Sequence, residues 1–260
     1  MACAGPHGEL AIVTSEIHGA AATGYQAKSD AYVAGRPSYH PAAIDELVEL
    51  LGQEAWVEVG AGTGIATAAV VERGVEVTAI EPVDAMRERL ATSLPGVTAL
   101  PGTSEAMPVP DGCARVVFVA QAMHWFDHGP ALDEISRVLQ PDGALVTLWN
   151  VRNQTEDWVQ AYTRISDRYA GETPRWHTQV WRRAIEDDPR FALEVEQSIP
   201  NPHPSSPDAV VARLLSTSFI AALDEATQQS LGDELRAVVA PLGESFDYPY
   251  DTQFQIWRRT

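Results

Sequence analysis

The stretch that decides the reading is Ala55-Trp56-Val57-Glu58-Val59-Gly60-Ala61-Gly62-Thr63-Gly64. It opens on a short β-rich run and closes on three glycines in five positions. Such a run reads as a buried strand. Glycines at its end allow a tight turn in which a ligand touches bare main chain. A helical stretch follows, Ile65 to Arg73, and offers free N–H groups and a partial positive charge to the same turn. In open α/β sheets, ligands sit beyond the carboxyl ends of the strands, where this turn lies.

Outward from the turn the pattern repeats. Glu76–Ile80 reads as a second strand closed by Glu81-Pro82, Val83–Ser93 as a helix, and Val97–Leu100 as a third strand. Arg115–Ala120 is a fourth, near-continuously apolar, as expected of a strand buried on both faces. Ala131–Leu139 predicts a helix stopped by Pro141-Asp142-Gly143, and Ala144–Trp149 a fifth strand. Upstream, Pro41–Leu51 sets Ile44, Leu47, Val48 and Leu51 on one helical stripe. This alternation predicts an α/β, doubly wound, mostly parallel sheet. The expected organisation is one domain over 1–260: a loose arm at 1–24, a ligand-binding core at 25–150, a helical aromatic insertion at 151–190, and 191–260 completing the sheet. Within the last part we expect a strand at 192–199, a proline-rich linker Asn201–Pro207, two helices, and a final strand or hairpin in Ser245–Arg258.

Composition narrows the partners. The chain has 260 residues, 45% hydrophobic and 21% charged, which is ordinary for a globular protein. Its formal net charge of −18 is spread over both halves and repels phosphate backbones, so no nucleic acid is expected as partner. No apolar run is long enough for a bilayer, and no basic leader precedes an apolar stretch, so no membrane is expected either. Cys3 and Cys113 have no ligand spacing, which suggests a reduced, cytoplasmic protein. The histidines lack metal-like spacing, so no metal is expected.

The glycine spacing is G-x-G-x-G, preceded by Glu58, and not the G-x-G-x-x-G of nicotinamide enzymes, since Ile65 stands five after Gly60. It resembles the motif of class I S-adenosylmethionine-dependent methyltransferases. The resemblance continues through Glu81 at the end of strand two, Gly102-Thr103-Ser104-Glu105-Ala106-Met107-Pro108, Gln121-Ala122-Met123-His124-Trp125-Phe126 after strand four, and Arg137-Val138-Leu139-Gln140-Pro141-Asp142-Gly143. Tyr32-Val33-Ala34-Gly35-Arg36-Pro37-Ser38-Tyr39 is similar to the entry segment of the small-molecule type 11 subgroup. The resemblance covers 28–150 and departs at Thr103, where many members carry Asp.

The resemblance implies a seven-stranded, Rossmann-like methyltransferase sheet and S-adenosyl-L-methionine as cofactor. Glu81 would accept from both ribose hydroxyls, a role that suits an acceptor-only carboxylate. Thr103 and Ser104 would lie beside the adenine, Gln121 near the methionine moiety, and Arg36 against its carboxylate, with Tyr32 closing over it. Gly60, Ala61, Gly62, Thr63, Gly64, Pro82 and Met86 complete the expected cofactor contacts. Glu58 either accepts from the cofactor's ammonium group or orders the loop.

Methyl transfer is an in-line displacement, so the protein must mainly align the reactants and exclude water. His124, just past strand four, is the candidate catalytic base, with a positioning role in an aromatic cluster as the alternative. Trp125, Trp149, Trp158 and Trp176 are the candidate substrate contacts. A helical aromatic stripe is also what a core looks like. The expected partner is a small-molecule methyl acceptor, apolar or aromatic, and the expected state a monomer or homodimer. One rival is an NAD(P)-dependent oxidoreductase, disfavoured by the glycine spacing and by Lys28 being the sole lysine. The other is a non-catalytic S-adenosylmethionine-binding protein.

Overall fold

The computed structural model describes residues 37–260. The loose arm expected at 1–24, and Tyr32 and Arg36 of the expected core, lie outside the described residues.

Helix α1 (Pro41–Leu51) starts where it should. Pro41 takes the first helical position, His40 Nδ1 accepts from Ala42 N–H at 3.2 Å, and Gly52 ends the helix with φ 76°. It buries Ala43, Ile44, Leu47 and Leu51. The order continues β1 (Trp56–Val59), α2 (Ile65–Val71), β2 (Val77–Ile80), α3 (Asp84–Ser93), β3 (Thr98–Leu100), β4 (Ala114–Ala120), α4 (His128–Val138) and β5 (Leu139–Arg152). Then come α5 (Asp157–Asp167), α6 (Val180–Glu186), β6 (Phe191–Pro200), β7 (His203–Ser205), α7 (Pro207–Leu215), α8 (Ser218–Ala221), α9 (Glu225–Val239), β8 (Phe246–Tyr248) and β9 (Tyr250–Arg259).

The main sheet has seven strands in the order β3-β2-β1-β4-β5-β9-β6. Strands β1 to β5 pair in parallel, and β9 runs against both β5 and β6. This is the expected doubly wound, mostly parallel sheet, with one reversed strand.

Period-two alternation sends side chains to two apolar layers. Val57, Val59, Val117, Val119, Leu145, Trp149 and Trp257 face α4 and α6. Trp56, Val116, Phe118, Val146, Leu148 and Ile256 face α1 and α2. A third cluster lies apart from these, where α5, α7 and α9 pack with Tyr248 and Tyr250.

Three expectations need correction. Strand five does not start at Ala144 or stop at Trp149. Leu139 already pairs with Ala114, Gln140–Gly143 bulge out, and pairing resumes at Ala144 and runs to Arg152. The expected turn survives as this bulge, with Asp142 at φ 61°. Second, the 151–190 segment is not one insertion. Helix α5 joins the third cluster, whereas Trp181 and Ile185 of α6 lie against the sheet. Third, Asn201–Pro207 is no linker, because its centre is β7, paired antiparallel with β8. Proline is tolerated there because a two-stranded ladder leaves edges open.

Candidate functional site

The glycine turn is wedged between neighbours. Gly60, Gly62 and Gly64 have φ values of 71°, 58° and 87°, a region costly for other residues. A Cβ on Gly60 would lie 2.8 Å from Ala122 Cβ, and one on Gly64 3.0 Å from Leu90 Cγ. Gly62 is different, since nothing lies nearer than Met86 Sδ at 4.0 Å. Two of the glycines are therefore demanded by packing as well as by conformation, and the middle one by conformation alone.

Glu81 follows β2 and locks the turn from the other side. Its Oε2 accepts from Gly62 N–H and its Oε1 from Val83 N–H, both at 2.8 Å. Each oxygen keeps a lone-pair site for a ligand hydroxyl. Burial pushes this carboxyl above its ordinary value, and the Val83 and Gly62 N–H groups and Arg87 pull it back.

Glu58 lies behind the turn, 1% exposed. Its Oε2 accepts from the Thr67 hydroxyl of α2. Burial pushes its carboxyl from 4.5 up to about 8. The Thr67 bond opposes that shift, and the Glu81 charge adds a smaller push. Near neutral pH, Glu58 is thus largely a neutral acid.

These parts enclose a cavity of about 490 Å³. Of the residues expected at the cofactor, Glu58, Gly60, Ala61, Gly62, Thr63, Glu81, Pro82, Met86, Thr103, Ser104 and Gln121 line it, and so does Trp125. Gly64 does not, because it packs on Leu90 and caps α2. Gln121 leaves β4 with φ 58°, an uncommon angle for a side-chain-bearing residue. Its Nε2 donates to Asn150 O at 3.1 Å.

A second cavity of about 190 Å³ adjoins the first and shares Gln121, Trp125, Asn150, Arg213 and Tyr250 with it. His124 and Trp176 line this smaller space. The His124 ring lies 4.9 Å from Trp125 and 5.6 Å from Trp149, between centroids.

Trp149 and Trp158 lie in neither cavity. Trp149 is fully buried on the α6 side of β5, 4.9 Å from Trp181. Trp158 packs in the third cluster, 4.8 Å from Tyr248. Both pack in the core and line neither cavity, unlike the other expected substrate contacts, Trp125 and Trp176.

Several lining residues escaped the sequence. Asn150 Nδ2 donates to Pro37 O and Ser38 O at 3.0 and 3.1 Å, and its Oδ1 accepts from Thr252 at 2.6 Å. It pins the chain ahead of α1 against the cavity wall. Its place at the end of a sheet strand was a usable signal. Arg213 and Tyr250 come from α7 and the start of β9, and nothing local in the sequence marks them.

Among the described residues, no helix is long and apolar enough to cross a membrane, and no group of three His, Cys, Asp or Glu could hold a metal.

Comparison with known proteins agrees with this geometry. The family described as "Methyltransferase domain" matches residues 57–147. An uncharacterised methyltransferase of Mycobacterium tuberculosis is 43% identical over 138 residues, 53% of this chain and 56% of that protein. The chain thus matches little more than half the length of that relative. An uncharacterised methyltransferase of Schizosaccharomyces pombe is 31% identical over 177 residues, 65% of this chain and 67% of that protein. A solved structure of a proposed type II methyltransferase from Anaeromyxobacter dehalogenans superposes with a TM-score of 0.62 at 23% identity, covering 86% of this chain and 96% of that one. At that identity the likeness is one of fold.

Proposed function

The chain belongs to the methyltransferase family, and on that premise we propose that it transfers a methyl group from S-adenosyl-L-methionine to an oxygen, nitrogen or carbon atom of a small molecule. The observation that carries the reading is Glu81. It is a buried carboxylate at the end of β2, held by Gly62 and Val83 with two acceptor sites free, on the wall of the larger cavity. Such a group suits a vicinal diol.

Other features support the fit. Thr63 Oγ1 is shut off from solvent and has no partner among the described residues, so a polar ligand atom could complete it. Met86 and Pro82 give the cavity an apolar side beside Glu81. In this reading Thr103 and Ser104 lie along the adenine, and Gly60 to Thr63 with Glu58 and Gln121 border the remainder. When bound, the donor supplies an electrophilic methyl group on a sulfonium.

The chain's own work is to align and to exclude water. Trp125 walls both cavities and would turn an aromatic face toward the cation. His124 lines the smaller space, and in this reading it would take a proton from an oxygen or nitrogen acceptor. Trp125 and Trp176 offer the surface for an apolar or aromatic part of that acceptor. The setting we infer is the reducing cytoplasm, on the ground of two cysteines without a framework.

Calorimetry tests the donor. S-adenosylhomocysteine should bind and NADH should not. Binding of NADH alone would overturn the reading. Formation of S-adenosylhomocysteine from S-adenosylmethionine with a compound library would then separate an enzyme from a binding protein.

A further inference from the structure

The smaller cavity has an unusual charge for this chain. Arg152, Arg175 and Arg213 line it, and its lining includes no aspartate or glutamate. Over the whole chain acids outnumber bases two to one, 36 to 18. Arg175 is paired with Asp167 at 2.6 Å. Arg152 and Arg213 are buried among the neutral phenols of Tyr162, Tyr248 and Tyr250, with Tyr248 a hydrogen-bond partner of Arg152, and no ion pair to a carboxylate is seen for either among the described residues. The Arg152 guanidinium sits over the Tyr162 ring, 4.6 Å from its centroid. His177, on the same wall, is held below its ordinary value by burial and by Arg175 and Arg152, with Asp167 opposing.

The lining also carries polar atoms closed to solvent and without a partner among the described residues. They are Arg213 Nε, Ser166 Oγ, Trp176 Nε1 and Tyr250 hydroxyl. All can donate, and the arginine and tryptophan groups can only donate. A buried donor left unpaired is costly, so four around one space call for an acceptor that is not part of the chain. Two buried guanidinium groups, one with its Nε lacking a partner among the described residues and the other set among tyrosines, call for a negative one.

We propose that the smaller cavity is the acceptor subsite and that it holds a carboxylate of the methyl acceptor through Arg152 and Arg213. This rests on the methyl-transfer reading and narrows it to acids. The shared wall of Gln121, Trp125 and Asn150 sets the rest of such a molecule beside the donor cavity. An acceptor with one negative charge fits better than a phosphate, because the field of an acidic chain penalises each further charge. The acidity of the whole chain argued against polyanions; the local arginines reverse that argument for one small acid.

The test is calorimetric titration of the protein, saturated with S-adenosylhomocysteine, with benzoate and hexanoate, their amides benzamide and hexanamide, and inorganic phosphate. At least one acid should bind about tenfold or more tightly than its amide, as expected for one charge-assisted contact. Arg152→Met should abolish that preference and leave S-adenosylhomocysteine affinity unchanged, since Arg152 does not line the larger cavity. Arg213→Met should abolish it too, and should raise the melting temperature of the unliganded protein, because a buried guanidinium with no carboxylate beside it and an Nε lacking a partner among the described residues is removed. Arg→Lys variants at both sites keep the charge but lose the fork, and should bind the acid with intermediate affinity.

Equal binding of acids and amides would overturn the proposal, as would binding of phosphate alone. So would an Arg213→Met variant that loses S-adenosylhomocysteine affinity but keeps acid affinity, since Arg213 would then serve the donor's own carboxylate. Failure of S-adenosylhomocysteine to bind defeats the donor reading instead, and the acid titration can still be run on the unliganded protein.

Discussion

A carboxylate has about four acceptor positions, and Glu81 uses two of them on the backbone of its own site. That double duty shapes what mutation will do. Glu81→Ala removes the ligand contacts and also releases Gly62 and Val83. Donor affinity measured by calorimetry should fall about tenfold to a hundredfold, the equivalent of one charge-assisted hydrogen bond. Unchanged affinity would remove Glu81 from the site. Glu58 makes a different prediction. Its native-state value, about 8, lies above the ordinary 4.5, so the folded chain holds a proton that the unfolded chain has released between those limits. Stability owed to this group is therefore fully present below pH ~4.5 and is lost as pH rises toward 8. Glu58→Gln mimics the neutral form and keeps an acceptor for Thr67. Denaturant melts of the variant and wild type should coincide near pH 5 and diverge by pH 8, the variant being the more stable by up to about 5 kcal/mol. A gap that stays constant with pH would show that Glu58 is already ionised in the fold. At this scale the sequence was informative at strand ends, since Glu58 near the end of β1 and Gly60 and Glu81 just after β1 and β2 all line the larger cavity. It was silent on Arg213, because a residue on a distant helix reaches a cavity only through tertiary packing.

Among elements, the glycine turn carries the sharpest expectation. Gly60→Ala meets both a positive φ and a Cβ contact of 2.8 Å with Ala122. The conformational part alone costs about 1–2 kcal/mol. Adding Ala122→Gly should relieve the contact and leave the conformational part, so the double variant should be more stable than Gly60→Ala alone in the same melts. Strict additivity of the two changes would mean that the turn moves aside and that the packing argument fails. Elements also explain where the sequence misled. Trp149 was read as a strand-end residue, but β5 runs three residues further, to Arg152, and alternation then turns Trp149 into the α6 layer. Trp158 sits on a well-formed amphipathic stripe with Val159, Tyr162 and Ile165, and that stripe meets other helices and not a ligand. Periodicity reports that a face is covered; it does not report by what.

Across the whole molecule, the apolar interior divides. Two layers clasp the sheet, and a third cluster gathers α5, α7 and α9. Strand β4 lies between β1 and β5, and every residue except Arg115 is buried. Helices α7 and α9 bury one stripe each and leave exposed residues on the other side, and α8 is a single half-buried turn. Amide hydrogen exchange should therefore be slowest in β4 and β5 and measurably faster in α7 to α9. Equal protection in both would mean that the third cluster opens only with global unfolding. Strand number and alternation up to β5 were legible from short apolar runs and glycine turns. Of the late strands, β6 and β9 were legible and β7 was not, and their order was not legible either, since pairing partners far apart in sequence leave no local trace.

That order has a consequence for how the chain is made. Strand β9, residues 250–259, occupies the slot between β5 and β6, both of which leave the ribosome earlier. Until it arrives, the β5 ladder stands open along its length and β6 has no partner in the main sheet. A fragment ending before residue 250 keeps the parallel half and most of the ligand-binding turn, yet presents unsatisfied edges of the kind that recruit foreign strands. The central sheet is thus closed by its latest strand, and its longest edge is covered only when that strand pairs.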